Sequence, residues 1–128
     1  MRLVEEIVEL APGHHATCRR MARPDDWYFQ GHFPGHPVIP AIVLVELLAQ
    51  TGGLAAAAPV DGQPGVPLQL RVAAIGPIKF PDAAGPGDLL EASAHVVGRV
   101  GGLFKIEGRV TANGRVVATG GVTLAALR

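Results

Sequence analysis

The sequence contains very little cysteine and has no net charge. Cys18 is the only cysteine among 128 residues, which excludes a disulfide within the chain and is typical of a protein kept in a reducing compartment. We expect it to be a small apolar filler within a strand. Eleven basic residues balance eleven acidic ones, so the basic surface of a nucleic-acid-binding protein is missing. This composition argues against DNA or RNA as a partner.

No stretch has the uninterrupted apolar run that an export signal or a membrane span needs. Glu5 and Glu6 interrupt the first ten residues, which therefore do not resemble a signal peptide. The most apolar stretch, residues 41–60, contains Glu46 and Gln50 and is weakened further by glycines and a proline. These patterns predict a cytoplasmic protein in which this stretch is a core helix.

The length and the hydrophobic content predict one domain with a substantial core. The chain has 128 residues, 48% of them hydrophobic, and no repeat or linker divides it. We therefore assign residues 1–128 to a single domain. Only one long helix is expected, over residues 41–58, with Pro40 at its start, where the missing N–H of proline costs nothing. Because this helix is apolar nearly all round, a sheet should enclose it.

Most of the remaining sequence predicts strands. Residues 3–10 and 15–21 flank a turn at Ala11-Pro12-Gly13 and should form an antiparallel pair. Residues 68–79 predict a strand bent at Gly76-Pro77. Apolar and polar residues alternate over 90–96 and 104–111, as in half-buried strands. Asn113-Gly114 then predicts a tight hairpin. Together these elements indicate an α+β fold in which a sheet wraps around one helix.

A histidine and a glutamate stand out in residues 31–50 as an acid/base pair. His32 precedes the rigid turn Phe33-Pro34-Gly35, and prolines fix the path from there to the helix that carries Glu46. Histidine can accept a proton near neutral pH. The sequence neighbours of Glu46 are aliphatic, so we expect its carboxyl group to be buried, which favours the protonated, proton-donating form. The first N–H groups of the helix could stabilise a developing oxyanion.

These residues resemble a known family. The order and spacing of His32-Phe33-Pro34-Gly35, Pro40 and 46–50 are similar to the active-site segment of the (3R)-3-hydroxyacyl-acyl carrier protein dehydratases, the FabZ-like hotdog proteins. Residues 25–31 extend the resemblance upstream, and Phe80 with Pro86-Gly87-Asp88 extends it downstream. The resemblance implies a hotdog fold, a curved antiparallel sheet around a central helix. It also implies a homodimer or a larger assembly such as a hexamer, in which His32 of one chain faces Glu46 of the other.

The resemblance further implies which residues serve the reaction. His32 would remove the α-proton of a 3-hydroxyacyl thioester, and Glu46 would protonate the departing hydroxyl group. Ala41 and Gly35 would bind the thioester oxygen, while Gln50, Phe33 and Pro40 would support the site. The partner implied is acyl carrier protein, whose phosphopantetheine arm carries the substrate, and neither a cofactor nor a metal is implied. We expect Ile39, Leu44 and Phe80 to line the path of the acyl chain.

Several departures from the family keep other functions open. Ala41 replaces the usual glycine, Pro81-Asp82-Ala83 replaces the usual basic pair, and the sequence begins without the longer N-terminal stretch of housekeeping members. A specialised pathway, such as polyketide or aryl polyene lipid synthesis, therefore stands beside primary fatty acid synthesis. Glutamate rather than aspartate at position 46 favours dehydration without isomerisation. The alternatives are a non-catalytic hotdog subunit that binds acyl carriers and, with less support, an acyl thioesterase.

Other polar residues have two interpretations each. Gln50 lies one turn after Glu46 and could orient its carboxyl group, or the two could form an exposed polar stripe with Ile42 and Gly53. Arg19, Arg20, Arg71 and Lys79 could contact an acidic carrier protein or be ordinary surface residues. We interpret the remaining histidines, which are His14, His15, His36 and His95, as structural or loop residues whose spacing does not predict a metal site.

Overall fold

The computed structural model describes residues 2–29, 35, 37–57 and 69–126. This part of the chain forms six strands, one α-helix and a short 3-10 helix. In chain order they are β1 (Glu6–Ala11), β2 (His15–Met21), the 3-10 helix (Trp27–Phe29), α1 (Ala41–Ala57), β3 (Leu70–Lys79), β4 (Leu89–Val100), β5 (Leu103–Ala112) and β6 (Arg115–Ala126). None of the helices described is long and apolar enough to cross a membrane.

The six strands form one antiparallel sheet. Their order is β1-β2-β4-β5-β6-β3, so β3 lies at one edge beside β6 and β1 lies at the other edge. The predicted β1–β2 pair and the predicted β5–β6 hairpin are both confirmed. Asn113 and Gly114 have φ angles of 48° and 86°, the positive values that a two-residue hairpin turn requires.

Helix α1 lies close to one face of the sheet because the facing strand residues are small. Ala16, Cys18, Ala92 and Ala94 alternate along β2 and β4 and are fully buried. Cys18 is thus the predicted core filler, and burial raises the pKa of its thiol. Opposite these small residues the helix contributes large side chains, of which Leu47 and Leu48 are fully buried. This close approach fixes how α1, and any group it carries, lies relative to the sheet.

The predicted bounds agree with the structure for α1 and β3, whereas β1 begins at Glu6, three residues later than predicted. Helix α1 spans Ala41–Ala57 against the predicted 41–58, of which residue 58 lies outside the described part. Strand β3 has an irregular register between Ile75 and Ile78, as the predicted bend requires. The sheet packs against α1, as the predicted fold requires. Within the described residues one side of the helix remains uncovered, and Ile42 there is 64% exposed.

Candidate active site

Glu46 and Gln50 lie on the side of α1 that the sheet leaves open. They are one helical turn apart, and the side-chain amide of Gln50 donates a hydrogen bond from Nε2 to Oε1 of Glu46 over 3.2 Å. The other end of the same amide accepts a hydrogen bond from the backbone N–H of Leu3, with 2.7 Å between the nitrogen and Oε1. Of the two interpretations of Gln50, these contacts favour the orienting one.

The Leu3 contact determines which way the Gln50 amide faces. A backbone N–H can only donate, so the oxygen of Gln50 must point to Leu3 and its NH₂ group must point to Glu46. The reversed amide would place two donors together at Leu3 and two acceptors together at Glu46. The segment before β1 therefore takes part in orienting the carboxyl group, although nothing in the local sequence around Leu3 indicates such a role.

Glu46 is exposed in the single chain, contrary to the burial that its sequence neighbours predict. Val43, Leu44, Val45 and Leu47 are all buried in the core. Successive helix residues are rotated by about 100°, so apolar neighbours in the sequence lie on other sides of the helix. The prediction was wrong because it treated neighbours along the chain as neighbours in space. Any burial of Glu46 must come from outside the described part of this chain.

A cavity of about 910 Å³ lies along this open side of α1. Glu46 and Gln50 line it, and most of its remaining wall is apolar, including Leu10, Leu54, Leu70, Val72 and Leu124. Arg2 and Arg71 also contribute to the wall. The space has the apolar character and the size expected for a site that binds a fatty acyl group.

The predicted lining residues are not the ones that form this wall. Ile39 and Leu44 are buried in the core, with 5% and 3% exposure, and Phe80 is exposed beyond the end of β3. The cavity opens between β1, α1 and β3, whereas Ile39 and Leu44 pack towards the centre of the fold. Which apolar residues face the cavity depends on the strand order, and no local pattern predicts that order.

The start of α1 has the form that the sequence predicts. Pro40 precedes the helix, and Ala41 is its exposed first residue. Within the first helical turn, the N–H of Val43 donates to the carbonyl oxygen of Pro40 over 3.0 Å. The N–H groups of Ala41 and Ile42 come before it and have no acceptor within the helix, so these two can bind an oxygen atom of a ligand. Just before the helix, the N–H of Ile39 donates to the carbonyl oxygen of Ala84 over 2.8 Å. This hydrogen bond connects the residues that lead into α1 to the loop between β3 and β4. Gly35 is exposed and has a φ angle of 88°, which suits glycine and the predicted turn.

The predicted base, His32, begins the histidine turn, which is the segment His32-Phe33-Pro34-Gly35. His32, Phe33 and His36 lie outside the described residues, so their roles stay predictions. The 3-10 helix ends at Phe29, shortly before this segment, and the description of the helix entry resumes at Pro37.

A largely buried polar cluster of Arg20, Tyr28 and Asp26 fixes the 3-10 helix that precedes the histidine turn. The guanidinium of Arg20, whose side chain is only 11% exposed, donates from Nε to the hydroxyl of Tyr28 over 3.3 Å and lies 3.3 Å from a carboxylate oxygen of Asp26. The hydroxyl of Tyr28 donates to Asp26 over 2.5 Å, and the N–H of Arg23 donates to the same carboxylate over 2.9 Å. Burial opposes ionisation of Asp26, but these hydrogen bonds and the charge of Arg20 lower its pKa.

The position of Arg20 changes the interpretation of the basic residues. Positions 16, 18 and 20 of β2 face the same side of the sheet, and Ala16 and Cys18 are fully buried, so Arg20 points inward. Arg19 points outward and pairs with Glu91 over 2.9 Å. Arg20 is thus not a surface residue that a carrier protein could contact. The alternation of the strand was the available signal, because it places Arg20 with the buried set.

We expect Tyr28, the only tyrosine of the chain, to ionise unusually late. Burial and the hydrogen bond to Asp26 raise the pKa of Tyr28 to about 12, although Arg20 opposes this shift. A raised pKa means that the fold favours the neutral phenol, so its stabilising contribution is complete below pH 10 and is lost as the pH rises through about 12. Phenolate absorbance should therefore appear about two pH units later in the folded protein than in denaturant. Ionisation near pH 10 in the folded state would contradict the cluster.

The other histidines described lie at one end of the sheet, and their structural role stays a prediction. His15 of β2 lies opposite His95 of β4, their ring centroids are 5.5 Å apart, and His15 forms a close hydrogen bond with Glu9. His14 and His95 are exposed. Within the described ranges, no group of three or more histidine, cysteine, aspartate or glutamate residues is placed to hold a metal ion.

Comparison with known proteins identifies relatives over nearly the whole chain. Residues 1–121 match the FabA-like domain family. The 3-hydroxyacyl-[acyl-carrier-protein] dehydratase FabZ of Syntrophotalea carbinolica is 34% identical over 117 residues, which cover 91% of this chain and 78% of the relative. The FabZ of Ruminiclostridium cellulolyticum is 34% identical over 125 residues, which cover 96% and 84% of the two chains.

Solved structures agree on the architecture. The dehydratase heterocomplex ApeI:P from Xenorhabdus doucetiae aligns with a TM-score of 0.83 at 16% identity, over 99% of this chain and 84% of that one. The PaaI protein of the Escherichia coli phenylacetic acid degradation operon aligns with a TM-score of 0.72 at 17% identity, over 96% and 79%. At such identities the likeness supports the fold alone. The fold is a hotdog fold, and the chain belongs to the FabA-like family, among the relatives of its FabZ dehydratases.

Proposed function

We propose that this protein dehydrates (3R)-3-hydroxyacyl thioesters of acyl carrier protein to trans-2-enoyl thioesters. One observation carries the proposal above all: a glutamate held by Gln50 lies on the wall of a large apolar cavity. The cavity suits an acyl chain, and the carboxyl group is the polar feature that such a reaction needs beside it. Identity of 34% to FabZ dehydratases over most of the chain adds support.

In the proposed reaction, an acid and a base act on adjacent carbon atoms. His32 removes the proton from the carbon next to the thioester carbonyl, and the electron pair of that C–H bond moves towards the carbonyl oxygen. As the electrons return to form the double bond, the C–O bond to the hydroxyl group breaks, and the proton of Glu46 joins the departing oxygen to release water. N–H groups at Ala41 and Gly35 stabilise the oxyanion of the intermediate. Return of the proton from His32 to Glu46 restores both groups, and no electrons are gained or lost, so the proposed reaction needs no cofactor.

The proposed site is shared between the two chains of a homodimer. Three features of the chain support this. Glu46 and Ile42 are exposed on the open side of α1, and β3 exposes the apolar side chains of Val72 and Ile75. Strand β3 pairs only with β6, so its other edge has no strand partner within the described part of the chain. Such an edge is a surface for pairing with another chain, and a second chain would give Glu46 the burial that favours its acid form. A larger assembly such as a hexamer would be built from these dimers.

We infer that the substrate is delivered by the acyl carrier protein of a specialised pathway, such as polyketide or aryl polyene synthesis. Ala41 narrows the space at the proposed oxyanion site relative to glycine. Asp82 lies in the segment where the resemblance to the FabZ-like family leads one to expect a basic pair, and it pairs with Arg115, with 3.1 Å between the nearest charged atoms. This pair neutralises one of the basic groups at that surface, which changes the charge that a carrier protein would meet.

A turnover assay tests the proposal directly. The purified protein is incubated with (3R)-3-hydroxybutyryl and longer (3R)-3-hydroxyacyl chains on a carrier protein, and enoyl thioester absorbance and free thiol are both followed. We expect enoyl formation from the (3R) substrates, none from the (3S) isomers, and no thiol release. Thiol release without enoyl formation would instead establish a thioesterase. Carrier binding without turnover on any chain would establish a binding subunit.

A further inference from the structure

We infer that Arg20 is a positioning residue. It connects the 3-10 helix that precedes the histidine turn to the hydrogen bonds that orient Glu46. The inference rests on the proposed function, because it concerns the geometry of that same acid/base pair. One buried guanidinium contacts Tyr28 and Asp26 on one side and the backbone of Leu3 on the other. Its place in the fold, rather than any contact with substrate, gives it this role.

At one end, Arg20 holds the residues that lead into the histidine turn. Tyr28 is 2% exposed and lies four positions before His32. Its hydroxyl group is fixed between Arg20 and Asp26, and its ring packs against Phe29 with 4.9 Å between the ring centroids. The 3-10 helix that carries Tyr28 therefore cannot shift without breaking partly buried hydrogen bonds. The chain enters the segment of His32 from this fixed point.

At the other end, Arg20 holds the segment that fixes Gln50. Its Nη1 donates to the carbonyl oxygen of Leu3 over 3.2 Å. The N–H of the same residue donates to Gln50, whose amide donates in turn to Glu46. Leu3 is 1% exposed, so its backbone groups have little access to water as a substitute. A shift of Leu3 away from Arg20 would thus also displace the Gln50 amide and, with it, the carboxyl group of Glu46.

The guanidinium group is suited to this place in a way that lysine is not. Arginine presents several N–H donors in a rigid plane, and here three of its nitrogens serve Tyr28, Leu3 and Asp26. A lysine ammonium is a single point of charge on a flexible chain, so it can remain near Asp26 but cannot keep all three contacts. Arg20→Lys therefore keeps the positive charge of the cluster while removing its bridging geometry.

The test compares Arg20→Lys with Arg19→Lys, a matched control one position away. Arg19 is 41% exposed and pairs with Glu91 on the opposite face of the sheet. Kinetics with 3-hydroxyacyl pantetheine thioesters exclude contacts to the carrier protein. We expect Arg20→Lys to lower kcat on the order of 10²-fold with little change in KM, the size of effect that a misplacement of ~1 Å causes. Arg19→Lys should retain the kcat of the unchanged protein, and Tyr28→Phe should lower kcat in the same direction as Arg20→Lys.

A double-substitution cycle separates positioning from a general loss of structure. If Arg20 acts through Leu3 and Gln50, then Arg20→Lys should have a much smaller effect on kcat in a Gln50→Leu background, where the amide is already missing. Independent, multiplicative effects in folded variants would overturn the inference. So would an unchanged kcat in Arg20→Lys.

A readout without turnover keeps this inference separate from the proposed function. We expect Arg20→Lys to shift the NMR signals of the Gln50 side-chain amide and to accelerate hydrogen exchange at the Leu3 N–H, whereas Arg19→Lys should change neither. If the unchanged protein has no dehydratase activity, the proposed function fails and these signals still decide the role of Arg20. Unchanged signals in Arg20→Lys would overturn that role even in an active enzyme.

Discussion

His32→Ala and Glu46→Gln should each lower the dehydration rate by roughly 10²–10⁴-fold, the usual contribution of a positioned acid or base. His32→Ala removes the proposed proton acceptor. Glu46→Gln keeps the shape of the side chain and an oxygen that can accept from Gln50, but its amide cannot deliver the proton to the hydroxyl group. Because the second change keeps the volume of the side chain and its hydrogen bond with Gln50, we expect little change in the unfolding free energy.

Two substitutions elsewhere on the surface serve as controls. His14→Ala and Glu107→Gln make the same chemical changes at exposed residues away from the cavity. Both should retain the rate of the unchanged protein in the enoyl absorbance assay. A loss of rate in the controls that equals the loss in the site variants would show that the changes act on the fold and not on the reaction.

Mixing the two inactive variants should restore activity if each site is built from two chains. After exchange of chains, about half of the dimers would contain one chain of each kind, and a two-fold symmetric dimer of this kind has one intact and one doubly defective site. The mixture should then reach about one quarter of the unchanged rate. No recovery after verified exchange would mean that His32 and Glu46 of the same chain act together.

Gly108→Ala should reduce the free energy of unfolding by about 3 kcal/mol, at the upper end of the usual range for overpacking. A methyl group on Gly108 would lie 2.2 Å from the carbonyl oxygen of Ser93 and 2.8 Å from Cδ1 of Leu48. The first contact is with backbone, so relief requires β4 and β5 to separate. The second is with α1, two residues from both Glu46 and Gln50. Urea unfolding followed by circular dichroism measures the loss.

Gly98→Ala provides the matched control. Gly98 lies in the neighbouring strand β4, and a methyl group there would meet only Cβ of Lys105 at an ordinary 3.5 Å. We expect its effect on the unfolding free energy to stay within about 0.5 kcal/mol. Equal losses in the two variants would mean that a general cost of replacing glycine in a strand, and not the close approach at Gly108, explains the effect.

Local sequence patterns predicted most elements of the fold. The alternation of apolar and polar residues along β4 and β5 predicts which residues face the core, and Asn113-Gly114 predicts the turn. Both predictions succeed because the physical cause of each structure lies within a few residues of the chain. The place of β3 beside β6 could not be predicted in this way. Its residues are mostly exposed, so they carry no clear pattern of burial, and its partner lies far along the sequence.

The candidate site was predicted in part, for the same physical reason. The four-residue spacing of Glu46 and Gln50 is a local helical relation, and the structure contains their hydrogen bond. The contacts of Leu3 with Gln50 and Arg20 join segments 47 and 17 residues apart, and one of the groups is a backbone N–H that every residue type provides. Side-chain patterns cannot indicate such a contact.

Strand β3 is synthesised before the strand with which it pairs. The ribosome releases β3 before β4, β5 and β6, and among the described residues β3 bonds with β6 alone, the last strand of the sheet in chain order. Until then its apolar residues and both of its backbone edges are unprotected, which favours association with other incomplete chains. Slow translation between β3 and β6 should therefore lower the yield of folded protein, even though the finished sheet is unchanged.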